Sequence, residues 1–102
     1  MSSPREERAR VAWDTHARFL WSERAAGFDG KPDWVKEQWA QIADVAIRTP
    51  LEIDAARAAC QKWIELEDRA RLGQSWQSMG MPGQALWLAT VRAVRALRSA
   101  QS

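Results

Sequence analysis

Apolar residues return three and four positions apart along most of this chain, the period of a helix face and not of a strand. Near the start the apolar arc runs through Ala9, Ala12, Trp13, Ala17, Phe19, Leu20 and Trp21, and His16 falls inside it. A second stripe is Val35, Trp39, Ile42, Ala43 and Ala46. A third turns Ala56, Ala59, Trp63 and Ala70 inward together with Glu67, and Cys60 shares that face. A fourth turns Leu86, Ala89, Ala93 and Leu97 inward. No segment alternates at period two for a useful length. The pattern predicts helices over about 4–26, 33–48, 50–72 and 82–99, with loops at 27–32 and 73–81. The expected fold is all-α: a single-domain four-helix bundle or compact four-helix array over residues 1–102.

The ends of these stripes carry helix punctuation. Ser3-Pro4-Arg5-Glu6 reads as an N-cap, a first-turn proline and the returning glutamate of a capping box. Thr49-Pro50-Leu51-Glu52 repeats that order and is expected to open the third helix. Pro32-Asp33 opens the second. Gly27 and Gly73 stand where a left-handed residue would close the first and third helices.

Composition changes the picture in two respects. Seven tryptophans and no tyrosine supply large apolar area to a chain otherwise rich in alanine, so some of the rings are expected to build the core. Cys60 is the single cysteine, so no intramolecular disulfide can form. The opening residues are polar, and no run approaches the roughly 18 apolar residues of a membrane span. The chain therefore reads as soluble and cytoplasmic, without internal repeats or low-complexity tracts.

Candidate chemistry is sparse. His16 is the only histidine and so the first acid–base candidate, although its place inside the apolar arc is that of a hydrogen-bonded core or boundary residue. Arg10 precedes it by six positions, and this Arg-x5-His spacing resembles the Arg-x4–6-His element of HEPN-type ribonucleases, which are small helical proteins. That resemblance rests on two residues and implies RNA cleavage by Arg10 and His16. Glu67, read as inward-facing, requires a partner there, with Arg24 or His16 as candidates, and is expected to form a structural ion pair. One Cys and one His cannot complete a zinc site, phosphate-loop and nucleophile-elbow motifs are absent, and no cofactor is expected. Cys60 reads as an inert small hydrophobe.

Charge is distributed unevenly. Before position 69 there are ten basic and thirteen acidic residues, a charge of −3; from Arg69 onward five arginines face no acid, a charge of +5. On the fourth helix Arg92, Arg95 and Arg98 lie opposite the inward positions, with Leu88 and Val91 between them. Arginine mixed with aliphatics on an outer face fits a protein interface better than a phosphate-tracking surface. The uncharged stretch 73–81 adds Trp76 and Met79, expected mainly to plug the bundle end, and Trp34 borders the other loop.

The leading expectation is a non-enzymatic helical module, an accessory subunit or inhibitor-type protein. It would dock on an acidic protein surface of a larger assembly through Leu88, Val91, Arg92, Arg95, Arg98, Trp76, Met79 and Trp34. Non-specific RNA or DNA binding through the same basic face ranks second, and a HEPN-like ribonuclease third. Homo-oligomerisation is compatible with all three.

Overall fold

The computed structural model describes residues 3–21 and 27–101, and the side chains of 3–16 and 27–97. Four helices pack against one another with no strand among the described residues, which is the expected all-α four-helix array. They are α1 (Pro4–Trp21), α2 (Asp33–Arg48), α3 (Glu52–Leu66) and α4 (Gly80–Gln101). Short 3-10 turns occupy Phe28–Gly30, Arg69–Leu72 and Gln77–Met79. The main helix contacts run α1–α2, α2–α3, α3–α4 and α4–α1, so each helix is bounded by two others around one core.

Some of the punctuation works as read. Ser3 Oγ accepts from the Glu6 backbone N–H at 3.1 Å, which satisfies one of the donors orphaned at the start of α1. Residues 22–26, including the expected last turn of the first helix and Arg24, lie outside the described residues. Gly27 does not take the left-handed conformation expected of it: its φ of −60° and ψ of 165° are extended, and it precedes the 3-10 turn that buries Phe28.

The α2–α3 corner is built differently from the expectation. Thr49 does not cap α3. Its N–H (3.2 Å) and its Oγ1 (2.9 Å) both donate backwards to the Val45 carbonyl, closing α2. The residue at the N-cap of α3 is Leu51, with no side-chain cap. The corner is held from outside by Arg95 of α4, whose guanidinium donates to the carbonyls of Ala46 (3.3 Å), Pro50 (3.1 Å) and Thr49. An arginine bonded to the last carbonyls of a helix satisfies acceptors that have no partner within the helix, and it also opposes the negative end of the helix dipole.

The third helix ends six residues short of its expected limit. Its last residue is Leu66, and Asp68 turns left-handed at φ 53°. Asp is among the few non-glycine residues that tolerate this conformation. A 3-10 turn then carries the chain to Gly73, which is left-handed at φ 82° as expected. Glu67 therefore lies past the helix and on the surface, not on an inward face, and its carboxylate accepts from Arg69 at 2.9–3.0 Å.

The phase of the fourth helix is the largest correction. Trp87, Thr90, Val91 and Val94 are its buried residues, whereas Ala89 is exposed and Leu86, Ala93 and Leu97 are only half-buried. Val91, expected on the outer face, is 0% exposed. In a helix this rich in Ala, Leu and Val, apolar residues surround the axis, and the largest ring, Trp87, sets which side is buried.

The 73–81 connection folds over the bundle as a plug. Trp76 is buried, with its carbonyl held by Gln84 Nε2 at 2.9 Å, and Met79 Sδ meets Cys60 Sγ at 3.3 Å. Gly83 makes this approach practicable: a Cβ there would stand 2.8 Å from Met79 Cβ. Gly83→Ala is therefore expected to lower stability by about 1–2 kcal/mol in urea unfolding, although alanine is intrinsically the better helix former. Arg95→Leu should cost roughly 2 kcal/mol by stranding the corner carbonyls. Arg92→Ala, which breaks only an exposed pair with Glu52, should stay within about 1 kcal/mol of wild type. Equal losses in the two arginine variants would show that water replaces Arg95 at the corner.

Candidate functional site: an aromatic cleft with a histidine floor

Each helix contributes one ring to a common cluster: His16 from α1, Trp39 from α2, Trp63 from α3 and Trp87 from α4. The His16 ring lies 3.9 Å from Trp87 centroid to centroid, 5.5 Å from Trp63 and 5.7 Å from Trp39. Trp87 in turn stacks on Trp39 at 6.2 Å with an interplanar angle of 15°. His16 is 3% exposed and Trp87 0% exposed.

Beside this cluster opens a cleft of about 880 Å³. Trp13, Trp34, Val35 and Leu86 form walls, His16 and Trp87 reach it from the core, and Gln38 and Gln74 add amides. Charges from Lys31, Glu67, Asp68 and Arg69 surround it. Trp34 is 65% exposed, an unusual state for an indole unless it edges a binding surface.

The cluster is electrically unfinished. His16 Nδ1, His16 Nε2 and Trp87 Nε1 are buried without a hydrogen-bond partner among the described residues. His16 is thus a core residue as expected, but not a hydrogen-bonded one, because its neighbours are indole rings that offer faces and edges in place of acceptors. Each such orphaned group costs about 1–3 kcal/mol relative to a satisfied one. Burial pushes the His16 pKa down to about 4, and the positive charge of Arg69 adds to the shift. The ring is neutral at pH 7.

Arg69 lies over the Trp63 ring, 4.3 Å from its centroid, while Lys31 Nζ lies 5.7 Å from that of Trp13. Both are cation–π contacts that fix charge near the cleft. Cys60 is fully buried, and burial pushes its thiol up to about 12, so it is a packing residue without thiolate character at neutral pH.

The residues singled out from sequence are scattered by the fold. Trp34 and Met79 line the cleft, whereas Trp76 is buried nearby. Leu88 is half-buried against the core, Val91 is inside it, Arg95 holds the α2–α3 corner, and Arg92 pairs with Glu52 of α3. The Arg98 side chain lies outside the described residues. Arg10 donates to Glu7 and Asp29, both at 2.6 Å, and does not hydrogen-bond His16. Sequence reading missed Trp13, Lys31, Gln38, Trp39, Trp63, Arg69 and Trp87 as a site. Their one visible signal is that His16, Trp39, Trp63 and Trp87 stand 23, 24 and 24 positions apart, one per predicted helix.

Among the described residues no group of three or more His, Cys, Asp or Glu could hold a metal ion, and no helix is long and apolar enough to cross a membrane. No protein-family model, curated protein or solved structure matches this chain.

The depressed pKa of His16 makes a signed prediction. Its folded value, about 4, lies below the ordinary 6.5, so the unfolded chain binds the proton first. The stability this group confers is complete above about pH 7 and is lost as pH falls from there towards 4. Between pH 7.5 and pH 4.5, wild type should lose about 2–3 kcal/mol more unfolding free energy than His16→Phe. Urea unfolding of both at the two pH values measures the difference; parallel losses would mean that the folded ring takes up its proton as readily as the unfolded one.

Proposed function

We propose that this chain is a non-catalytic helical binding module whose site is the aromatic cleft, and that its ligand is a small, flat, largely apolar molecule. The observation that supports this reading most directly is the conjunction of an indole-walled cavity with three unpartnered ring nitrogens on buried residues of its lining. Cavities of roughly 300–1,000 Å³ with apolar walls and a few polar groups are the usual form of small-molecule sites. The buried rings behind the cleft come from four helices and are held by core packing, so little side-chain freedom is lost there when a flat molecule enters against Trp34 and the other walls.

The outer face of α4 supports docking on an acidic partner less well. Val91 and Arg95 are engaged in the fold and Arg92 is already paired with an acid. A ribonuclease reading gains no support from a guanidinium bound to two carboxylates and an imidazole enclosed by indoles.

Calorimetric titration with 2-naphthylmethanol, a neutral flat probe, tests the reading. Wild type should bind it, and Trp34→Ala should weaken binding roughly fivefold or more by removing one wall. Because Trp34 is mostly exposed, the variant should keep its melting temperature within about 3 °C. Binding untouched by loss of Trp34 would place the probe elsewhere on the molecule, and failure to bind would remove the proposal.

A further inference from the structure

The charges around the cleft discriminate between ligand classes. Two carboxylates line it, and each is already engaged: Glu67 with Arg69 at 2.9 Å, Asp68 with Arg71 at 3.4 Å. Of the two cations, Arg69 is held by Glu67 and lies over Trp63. Lys31 has no ion-pair partner among the described residues, and its ammonium lies over the face of Trp13. The lining holds two cations and two carboxylates, but Asp68 is turned to Arg71 outside it, so among the described residues Lys31 is the lining cation without an ion-pair partner, next to flat apolar walls.

An indole-lined cavity is also the setting in which quaternary ammonium groups are bound, through the negative faces of the rings. Here two of those faces, on Trp63 and Trp13, are already occupied by the protein's own cations. A cationic guest could use those two faces only by displacing the protein's own cations, and on the open face of Trp34 it would still sit in their field. The field of Arg69 also extends to His16, where it opposes a second positive charge. Each of these features acts against a cation and in favour of an anion.

We infer that the cleft selects planar aromatic anions, with the ring held among the tryptophans and the negative group paired with Lys31. This rests on the binding-module reading above and adds the ligand's charge to it. A carboxylate or sulfonate on a one- or two-ring aromatic carries the required chemistry. No bond is made or broken in such an encounter.

Three probes that share one naphthyl ring separate the two claims: 2-naphthoate, 2-naphthylmethanol and 2-naphthylmethylammonium, each titrated calorimetrically into the intact chain. The naphthoate should bind about tenfold tighter than the alcohol, the scale of one partly screened charge contact, and the ammonium more weakly than either. Lys31→Gln should bring the ratio of naphthoate to alcohol affinity, both measured on the same variant, from about ten to about one, and continued binding of the alcohol reports that the cleft is intact. Lys31→Glu should reverse the order of anion and cation. If the alcohol binds but the naphthoate gains nothing over it, or if the ammonium binds tightest, the anion inference is wrong and the binding module stands. A naphthoate preference that survives both Lys31 variants overturns the pairing with Lys31. If none of the three probes binds, both claims fall together.

Discussion

The structure depends on one contact: the His16 ring pressed on Trp87, with Trp39 and Trp63 closing the other sides. It is where all four helices meet through large planar groups, and many of the buried residues elsewhere on α1, α2 and α3 are alanines. Ala9 and Ala12 on α1, Ala40, Ala43 and Ala46 on α2, and Ala55, Ala56 and Ala59 on α3 are all buried. Small residues let helices approach closely, and bulky rings hold them apart, since interaxial distance follows the side chains at the contact. The rings fall in the later half of α1 and α3 and the earlier half of α2 and α4, which are neighbouring ends when helices joined by short loops run antiparallel. The rings thus gather towards one end of the array, while most of the buried alanines lie towards the other. The cleft lies at the ring end. Losing a buried tryptophan ring costs about 3–5 kcal/mol, a large part of the 5–15 kcal/mol available to a domain, so the ring cluster governs both the fold and the cavity beside it.

Arginines at both ends of the chain join helices, Arg92 and Arg95 of the basic C-terminal segment among them. Arg5 donates to both oxygens of Glu37 at 2.8–2.9 Å and to Asp44 at 2.9 Å, tying α1 to α2. These carboxylate bonds raise the pKa of Arg5 further above its already high ordinary value, and the hydrogen bond from Arg5 lowers that of Glu37. Arg10 ties α1 to the turn that buries Phe28, and Arg92 ties α4 to α3. These pairs are partly exposed, so each stabilises modestly and its larger effect is on register. Net charge by segment does not see such pairing, because the partner of a C-terminal arginine lies some forty residues earlier in the chain. Three of the five arginines behind the charge asymmetry of the sequence, Arg69, Arg71 and Arg92, face carboxylates in space.

Local rules were legible and non-local ones were not. Ser3 caps α1 through a bond that closes within three residues, and α2 runs from Asp33 to Arg48 as its stripe predicts. The same local signature at Thr49 misleads, because Arg95, remote in sequence, satisfies that corner. The phase of α4 could not be read from periodicity when Leu86, Ala89, Ala93 and Leu97 form as regular a stripe as Trp87, Thr90, Val91 and Val94. The two stripes differ by about one residue, or roughly 100° of rotation. Only the volume of Trp87 separates them, and weighing positions by size as well as polarity would have placed Val91 inside. Glu67 was misplaced for a related reason: a helical wheel assigns every residue a side, but α3 ends before Glu67 is reached. The cleft was invisible for a further reason, since a cavity is a property of how four stripes meet and not of any one of them.

The orphaned nitrogens bear on whether the cleft is a site or imperfect packing. Four buried polar side-chain atoms lack partners among the described residues, and three of them belong to His16 and Trp87. The fourth, Arg8 Nε, sits on a guanidinium that still reaches Asp44 at 3.5 Å, so that side chain retains a partner. Loose packing by itself would leave voids beside apolar side chains, and a phenylalanine at position 16 would fill much of the same volume without burying two bare nitrogens. A histidine there is the less stable choice for the fold alone, and it occurs where the walls are flat and Lys31 has no ion-pair partner among the described residues. Local departures from the most stable solution concentrate at functional sites, where rigidity and unsatisfied groups are of use to a ligand. Volume, flat walls, bare polar atoms and a lysine without an ion-pair partner among the described residues coincide at the aromatic end of the array, and that coincidence supports the proposed reading of the cleft over that of a packing defect.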